Sequence, residues 1–129
     1  MPIILFREDK GLNNIIINVW LFLIIPLFMA AICISMANPK GDSRNSGAGY
    51  RTKHSMQSPE NWNLANKTFG YYSFVILGLE SAALLVEYKL LIPQKIIQSE
   101  QAFYLNIVLL LVSSFVGVII TELRLRRKK

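Results

Sequence analysis

The chain has 129 residues, 53% of them hydrophobic and 17% charged, and its 14 lysines and arginines outnumber 8 acids for a net charge of +6. That length suits one ordinary domain, and the charged fraction falls well below the roughly 25% usual for soluble domains. A single cysteine, Cys33, excludes an internal disulfide framework, and with one histidine there is no Cys/His set for zinc.

A basic balance fits nucleic acid or a membrane surface, and the positions of the charges decide between them. No charged residue lies between Lys10 and Lys40, only Glu80 lies between Lys67 and Glu87, and none lies between Glu100 and Glu122. Each gap matches or exceeds the roughly 20 residues an α-helix needs to cross about 30 Å of hydrocarbon. The stretch from Ile15 to Ile25 is apolar all round rather than on one stripe, and the alternating ten-residue segments of a β-barrel are missing. The expected fold is an all-α membrane protein: three transmembrane helices at about 15–37, 69–91 and 103–122, with a structured cytoplasmic loop between the first and second. No nucleic-acid partner is implied.

Residues 1–14 read as a short external segment of mixed composition ending in a turn at Gly11-Leu12-Asn13-Asn14. The first span follows. Ser35-Met36-Ala37 resembles a signal-peptidase site, but the apolar run before it exceeds the usual 7–15-residue core and its flank is not basic, so the segment is expected to stay as an anchor. Pro26, near its middle, should kink the helix and free the carbonyl of Phe22. Asn18 lies near the outer end, within reach of interfacial water.

Charge bias sets the orientation. The first loop and the C-terminal tail hold Lys40, Arg44, Arg51, Lys53, Lys67, Arg124, Arg126, Arg127, Lys128 and Lys129; the other side holds Arg7, Lys10, Lys89 and Lys95. This places the N-terminus outside and the C-terminus inside in a multi-pass membrane protein.

Residues 38–68 form the motif loop and an interfacial helix. Asn38 to Gly49 is rich in turn formers. Ser58-Pro59-Glu60 then reads as a helix start: a serine cap, proline at the first position and an acid in the first turn. Trp62, Ala65 and Phe69 fall on one face, with the tryptophan suited to the headgroup layer. A bend is expected near Gly70, where span two begins. Within 69–91, Gly78 and Ala82 form a small-xxx-small pair that allows close helix approach. A short external loop, 92–102, contains Pro93. Span three, 103–122, offers Ser113, Ser114 and Gly117 on one face, and 123–129 is a basic cytoplasmic tail.

Glu80 is the sharpest single residue, because an ionised carboxylate in hydrocarbon is costly and must face the bundle interior, carry a proton or be paired. It reads either as a titratable or ligand-contacting group, or as a packing residue hydrogen-bonded to Ser113, Ser114 or the carbonyl freed by Pro26. Glu87, seven residues on, reads as an interfacial charge meeting Lys89 or water. The residues form no catalytic set, cofactor site or metal site, and no enzyme is expected. His54 reads as a solvated loop residue, Cys33 as a small buried hydrophobe, and Asn66-Lys67-Thr68 as an accidental glycosylation sequon on the cytoplasmic side. The Arg124–Lys129 tail reads as a topology anchor, or as a site for anionic lipid or an acidic partner surface.

The loop itself is dense in hydrogen-bonding groups, with Arg51 offering five donors and Asn45 and Asn66 able to cap or bridge. The pattern Asn45, Gly49-Tyr50-Arg51-Thr52, Ser55, Trp62, Ala65-Asn66 and Gly70, leading into a transmembrane helix, resembles the SdpI-like immunity protein family of bacteria. The resemblance covers about Asn38 to Phe74. It implies an integral membrane protein whose relatives protect cells against a secreted membrane-active toxin and signal by holding a transcriptional repressor at the membrane. Relatives of the founding type carry additional spans before this domain, so in a three-span form these roles would either call for self-association or be absent. The expected partners are the lipid bilayer, a peptide toxin, a cytoplasmic repressor and a second copy of the chain. Within the motif, Arg51 is expected to satisfy helix-end carbonyls or Glu60 while Trp62 sets the depth of the helix. Two other functions fit the residues: a small transport or proton-pathway component built on Glu80, and a membrane-bound adaptor that sequesters a cytoplasmic regulator.

Overall fold

The structure is a computed structural model that describes residues 2–37 and 41–128, with side chains from Asn13 onward. The turn formers at 38–40 and four of the topology cations (Arg7, Lys10, Lys40 and Lys129) lie outside the described residues or side chains. Three helices dominate: α1 over Pro2–Met36, α2 over Pro59–Val86 and α3 over Ser99–Arg127. A 3₁₀ turn, Ser55–Gln57, precedes α2, and a π-helical turn, Glu87–Leu91, extends it. Stretches of each helix, Asn13–Met36, Pro59–Leu91 and Ser99–Arg127, are long and apolar enough to cross a membrane.

The exterior is apolar, and the interior mixes apolar with polar side chains. Ile17, Trp20, Phe28, Leu111 and Phe115 are all more than 60% exposed, while Asn66, Ser73, Glu80, Asn106 and Thr121 are buried. That is the reverse of a soluble protein, whose exposed apolar patches are limited to a few hundred Å². It is what lipid requires. Three buried hydroxyls in the spans are satisfied within their own helices: Ser73 donates to the Phe69 carbonyl, Ser113 to Leu109 and Thr121 to Gly117.

Helix α2 lies between the other two and packs along both, whereas α1 and α3 touch little. Close approach depends on glycine at two points. A Cβ on Gly70 would stand 2.8 Å from Ile34 Cγ1, and one on Gly117 would stand 2.5 Å from the Tyr72 ring. Gly70 therefore serves the α1–α2 crossing, and α2 runs through it as one helix where a bend was expected. The Gly78–Ala82 pair, expected to bring helices together, faces outward, and a Cβ on Gly78 would meet nothing within 4 Å.

The ends differ from expectation in one direction: the helices are longer. Helix α1 continues through the expected Gly11–Asn14 turn to Pro2, because extending an existing helix adds a hydrogen bond per residue while only nucleation is costly. Helix α3 takes in the first part of the basic tail, where Arg124, Arg126 and Arg127 suit the negative end of the helix dipole. The start of α2 follows the sequence signals, with Ser58 Oγ accepting from the Asn61 backbone N–H at 3.1 Å and Pro59 in the first turn.

Candidate functional site

The loop between α1 and α2 folds back over the bundle end formed by Met36, the start of α2 and the end of α3. Two glycines shape it. Gly47 and Gly49 have φ of +82° and +102°, conformations that side chains rarely adopt. Gly49 also needs the space: a Cβ there would sit 2.6 Å from Asn66 Oδ1. Because it has none, the Tyr50 backbone N–H reaches Asn66 Oδ1 at 2.7 Å. Asn66 Nδ2 in turn donates to the Trp62 carbonyl at 3.0 Å. Asn66 is fully buried, so its amide acts as a bracket joining the loop to α2.

Ser55 closes the next turn. Its Oγ accepts from the Thr52 N–H at 2.8 Å and lies 3.1 Å from the Tyr50 carbonyl, to which it donates. This turn aims three side chains at one carboxylate on α3. Glu122 Oε1 accepts from Tyr50 Oη at 2.9 Å and Thr52 Oγ1 at 2.6 Å, and Oε2 pairs with His54 Nδ1 at 2.8 Å. The Glu122 side chain is only 19% exposed, so these donors stand in for water. Burial, and then the carboxylate beside it, push the Tyr50 phenol up from its ordinary pKa, holding it as a donor.

Trp62 makes a second tie. Its Nε1 donates to the Met36 carbonyl at the end of α1 and to Ser43 Oγ, both at 3.0 Å. Ser43 Oγ also donates to the Met36 carbonyl, at 2.6 Å. The indole is fully buried; it lies under the loop where the sequence suggests the headgroup layer. The Arg51 guanidinium stands 5.9 Å from the Trp62 ring centroid, and its NH1 donates to the Arg44 carbonyl at 2.8 Å. Arg44 is held in turn by Asp42, at 2.7 Å.

Several expected roles change. Arg51 covers Trp62 and braces the loop, while the helix-end carbonyl belongs to Trp62 and Glu60 pairs with Lys128 at 3.2 Å. His54 is bonded to Glu122 and only part-exposed, so it is not a free loop residue. Asn45 is exposed and its side chain makes no hydrogen bond among the described residues. Glu122, the acceptor on which the loop converges, was missed because it reads as the boundary charge of span three. Its signal was slight: a lone acid followed by five cations in seven residues, on the side to which the donor-rich loop was assigned.

Glu80 is set apart from this cluster. It is fully buried, and among the described residues neither carboxyl oxygen has a hydrogen-bond partner. The expected bonds to Ser113, Ser114 or the Phe22 carbonyl are not made; Ser113 instead donates to Leu109 and Leu110 carbonyls on its own helix. Glu87, expected at the outer boundary, is also buried, and Asn106 Nδ2 donates to its Oε2.

Beside the loop, α1 and α3 part. They meet at Phe22 and Phe103, whose rings are 5.6 Å apart, and open toward the loop into a groove of about 520 Å³ lined by Met29, Ile32, Tyr50, Phe69 and Val118.

The SdpI/YfhL protein family model matches residues 43–121, from the start of the loop through most of α3. That is more than half of the chain. The chain belongs to the SdpI/YfhL protein family. No curated protein and no solved structure matches it. The SdpI/YfhL match holds Tyr50, Thr52 and His54 of the loop, the Asn66 that brackets Tyr50 to α2, and all of α2 with its close approach at Gly70. Glu122, one residue beyond the match, completes the bracket. Among the described residues no group of three His, Cys, Asp or Glu side chains could hold a metal ion. The cluster is a set of positioning bonds between a loop and three helices.

Proposed function

We infer that this SdpI/YfhL membrane protein confers resistance to a membrane-active peptide toxin, and that it does so by binding rather than by catalysis. The observation that carries the reading is the groove between α1 and α3, about 520 Å³ and lined mainly by apolar side chains. Its position at the bundle end, with one wall made by the motif loop, suits an apolar peptide segment lying in the membrane. The loop then acts as a latch: Glu122, Asn66 and Trp62 set its position, and Tyr50 contributes both to the latch and to the groove wall.

In this reading the loop and the basic tail lie on the cytoplasmic side of the bacterial plasma membrane and the N-terminus lies outside, as the distribution of lysine and arginine favours. A toxin seated in the groove would bear directly on Tyr50 and so on the loop, giving a route by which occupancy alters the face offered to a cytoplasmic repressor.

The test is expression in a sensitive bacterium challenged with a panel of membrane-active peptides, with membrane potential as the readout. Protection that is lost in Val118→Trp, which fills the groove, while membrane insertion is retained supports the reading. Absence of protection across the panel, with the protein present in the membrane, overturns it.

A further inference from the structure

Glu80 belongs to none of the brackets that hold the loop, and its surroundings are unusual for an acid. The Asn18–Tyr88 bond and the contact between Gly70 and Ile34 fix the antiparallel register of α1 and α2, setting Glu80 level with Ile24–Pro26. The Asn106–Glu87 bond likewise fixes α3 and places Ser113 at the same level. Pro26 is fully buried and brings no N–H. The hydroxyl of Ser113 is turned to its own helix.

The charged and titratable groups around this level are few. Helix α1 has no charged residue between Lys10 and Lys40, and α3 has none between Glu100 and Glu122. Helix α2 contributes Glu87, two turns away on the same face, and Tyr88, whose hydroxyl accepts from Asn18. Acceptors therefore exceed donors. Among the described residues both oxygens of Glu80 and Oδ1 of Asn106 are buried without a partner, and Asn106 Nδ2 is already shared between Glu87 and the Ala102 carbonyl. Such a set is balanced by a cation or by hydrogen bonds donated from water. The described residues include no third carboxylate, histidine or cysteine to complete a metal site, and hard divalent cations ask for about six oxygens or more. At the Glu100 end, a recess of about 300 Å³ lined by Asn14, Asn18, Ser99 and Glu100 brings polar side chains toward this level from one face.

We propose that Glu80, with Glu87 and Asn106 as its polar neighbours, is a proton-binding site within the membrane-spanning part of the bundle. Binding forms the O–H bond of the Glu80 carboxylic acid with a proton drawn from water at the Glu100 end; release returns it, and nothing is oxidised or reduced. The proposal rests on the buried geometry and is independent of the protective role inferred above.

The test is infrared difference spectroscopy on the full chain in lipid nanodiscs, stepped in pH across the range in which it stays folded. The wild type should show the carbonyl-stretch band of a carboxylic acid appearing and disappearing, and the band should move when glutamate carboxyls carry carbon-13. It should be lost in Glu80→Gln and kept in Glu87→Gln. If Glu80→Gln does not fold, the labelled Glu87→Gln/Glu122→Gln protein decides the matter, since Glu80 is then the remaining buried glutamate among the described residues: a band there supports the site and its absence overturns it. An unchanged band in folded Glu80→Gln, or no band in the wild type, also overturns the proposal. So does a spectral change at constant pH when sodium is exchanged for a large organic cation, which would assign the site to a metal cation.

Discussion

Thr52 Oγ1 lies 2.6 Å from Glu122 Oε1, joining residues 70 apart in the chain. With Tyr50 on the same oxygen and His54 on the other, one α3 carboxylate holds the turn that carries the family pattern. A carboxylate bonded by several donors is a strong point of attachment, since hydrogen bonds to charged groups contribute about 1.5–3 kcal/mol each and leave costly orphans when broken.

Glu122→Gln should therefore loosen the loop without dismantling the bundle. The amide keeps one acceptor and turns an NH₂ group toward the donors. A net loss on the order of 2 kcal/mol is expected, which corresponds to about a 30-fold rise in the population of the open loop. Trypsin cleavage after Arg51 and Lys53 in detergent micelles measures it directly. Thr52→Val should cost less in the Glu122→Gln background than alone, because both changes act on the same group of bonds.

The extent to which the sequence revealed this arrangement follows the range of the interactions. The spans were legible because lipid excludes charge over a stretch set by helix length, and Lys10–Lys40 and Glu100–Glu122 show that gap directly. The start of α2 was legible because Ser58, Pro59 and Glu60 act on adjacent backbone groups. The face made by Trp62, Ala65 and Phe69 was legible from helical spacing, and all three are buried. Glu122 was not, since nothing local distinguishes a boundary acid from one that gathers three distant donors. Trp62 was misplaced for a related reason: its affinity for headgroups is a tendency of exposed tryptophans, and here the loop folds over it. The outward Gly78 shows the converse, a local motif for close packing that the tertiary fold leaves unused.

The two loop glycines separate conformation from space. Gly47→Ala meets nothing within 4 Å and incurs only the backbone cost of positive φ, about 1 kcal/mol. Gly49→Ala incurs that cost and drives a methyl group into Asn66 Oδ1 and Met36, breaking the Tyr50–Asn66 bracket. Thermal unfolding in one detergent should show Gly49→Ala well below wild type and Gly47→Ala close to it. Equal effects would mean that the Asn66 contact is not what restricts position 49.

The same comparison applies within the membrane. Gly117→Ala must displace the Tyr72 ring, and Gly70→Ala must separate α2 from Ile34 and Cys33, since the added carbon would lie within 3.2 Å of both. Overpacking of this kind costs typically about 1–3 kcal/mol. Gly78→Ala adds its methyl to open space on the outer face and should leave stability unchanged or slightly raised, as alanine is the better helix former. Unfolding in a denaturant series distinguishes the three. A destabilised Gly78→Ala in the monomer would contradict the outward placement of that face.

Trp62 and Arg51 form the remaining pair, and their contributions differ in kind. Trp62→Phe preserves most of the buried ring and removes only the Nε1 donor. The Met36 carbonyl keeps its bond from Ser43, so the expected cost is near 1 kcal/mol. Trp62→Ala empties a fully buried site and should cost about 3–5 kcal/mol. Arg51 is exposed and lies over the Trp62 ring, where a cation–π contact contributes about 0.5–1 kcal/mol. Arg51→Ala is thus expected to lower stability slightly and to mobilise the Arg44–Arg51 segment through loss of the bond to the Arg44 carbonyl. Arg51→Lys keeps the charge but not the planar group that donates while facing an aromatic ring, and should restore only part of the loss. Protein level and protection measured together decide whether the latch matters for function. If Arg51→Ala leaves both at wild-type values, the loop is held by Glu122, Asn66 and Trp62 alone and Arg51 has no part in coupling it to the bundle.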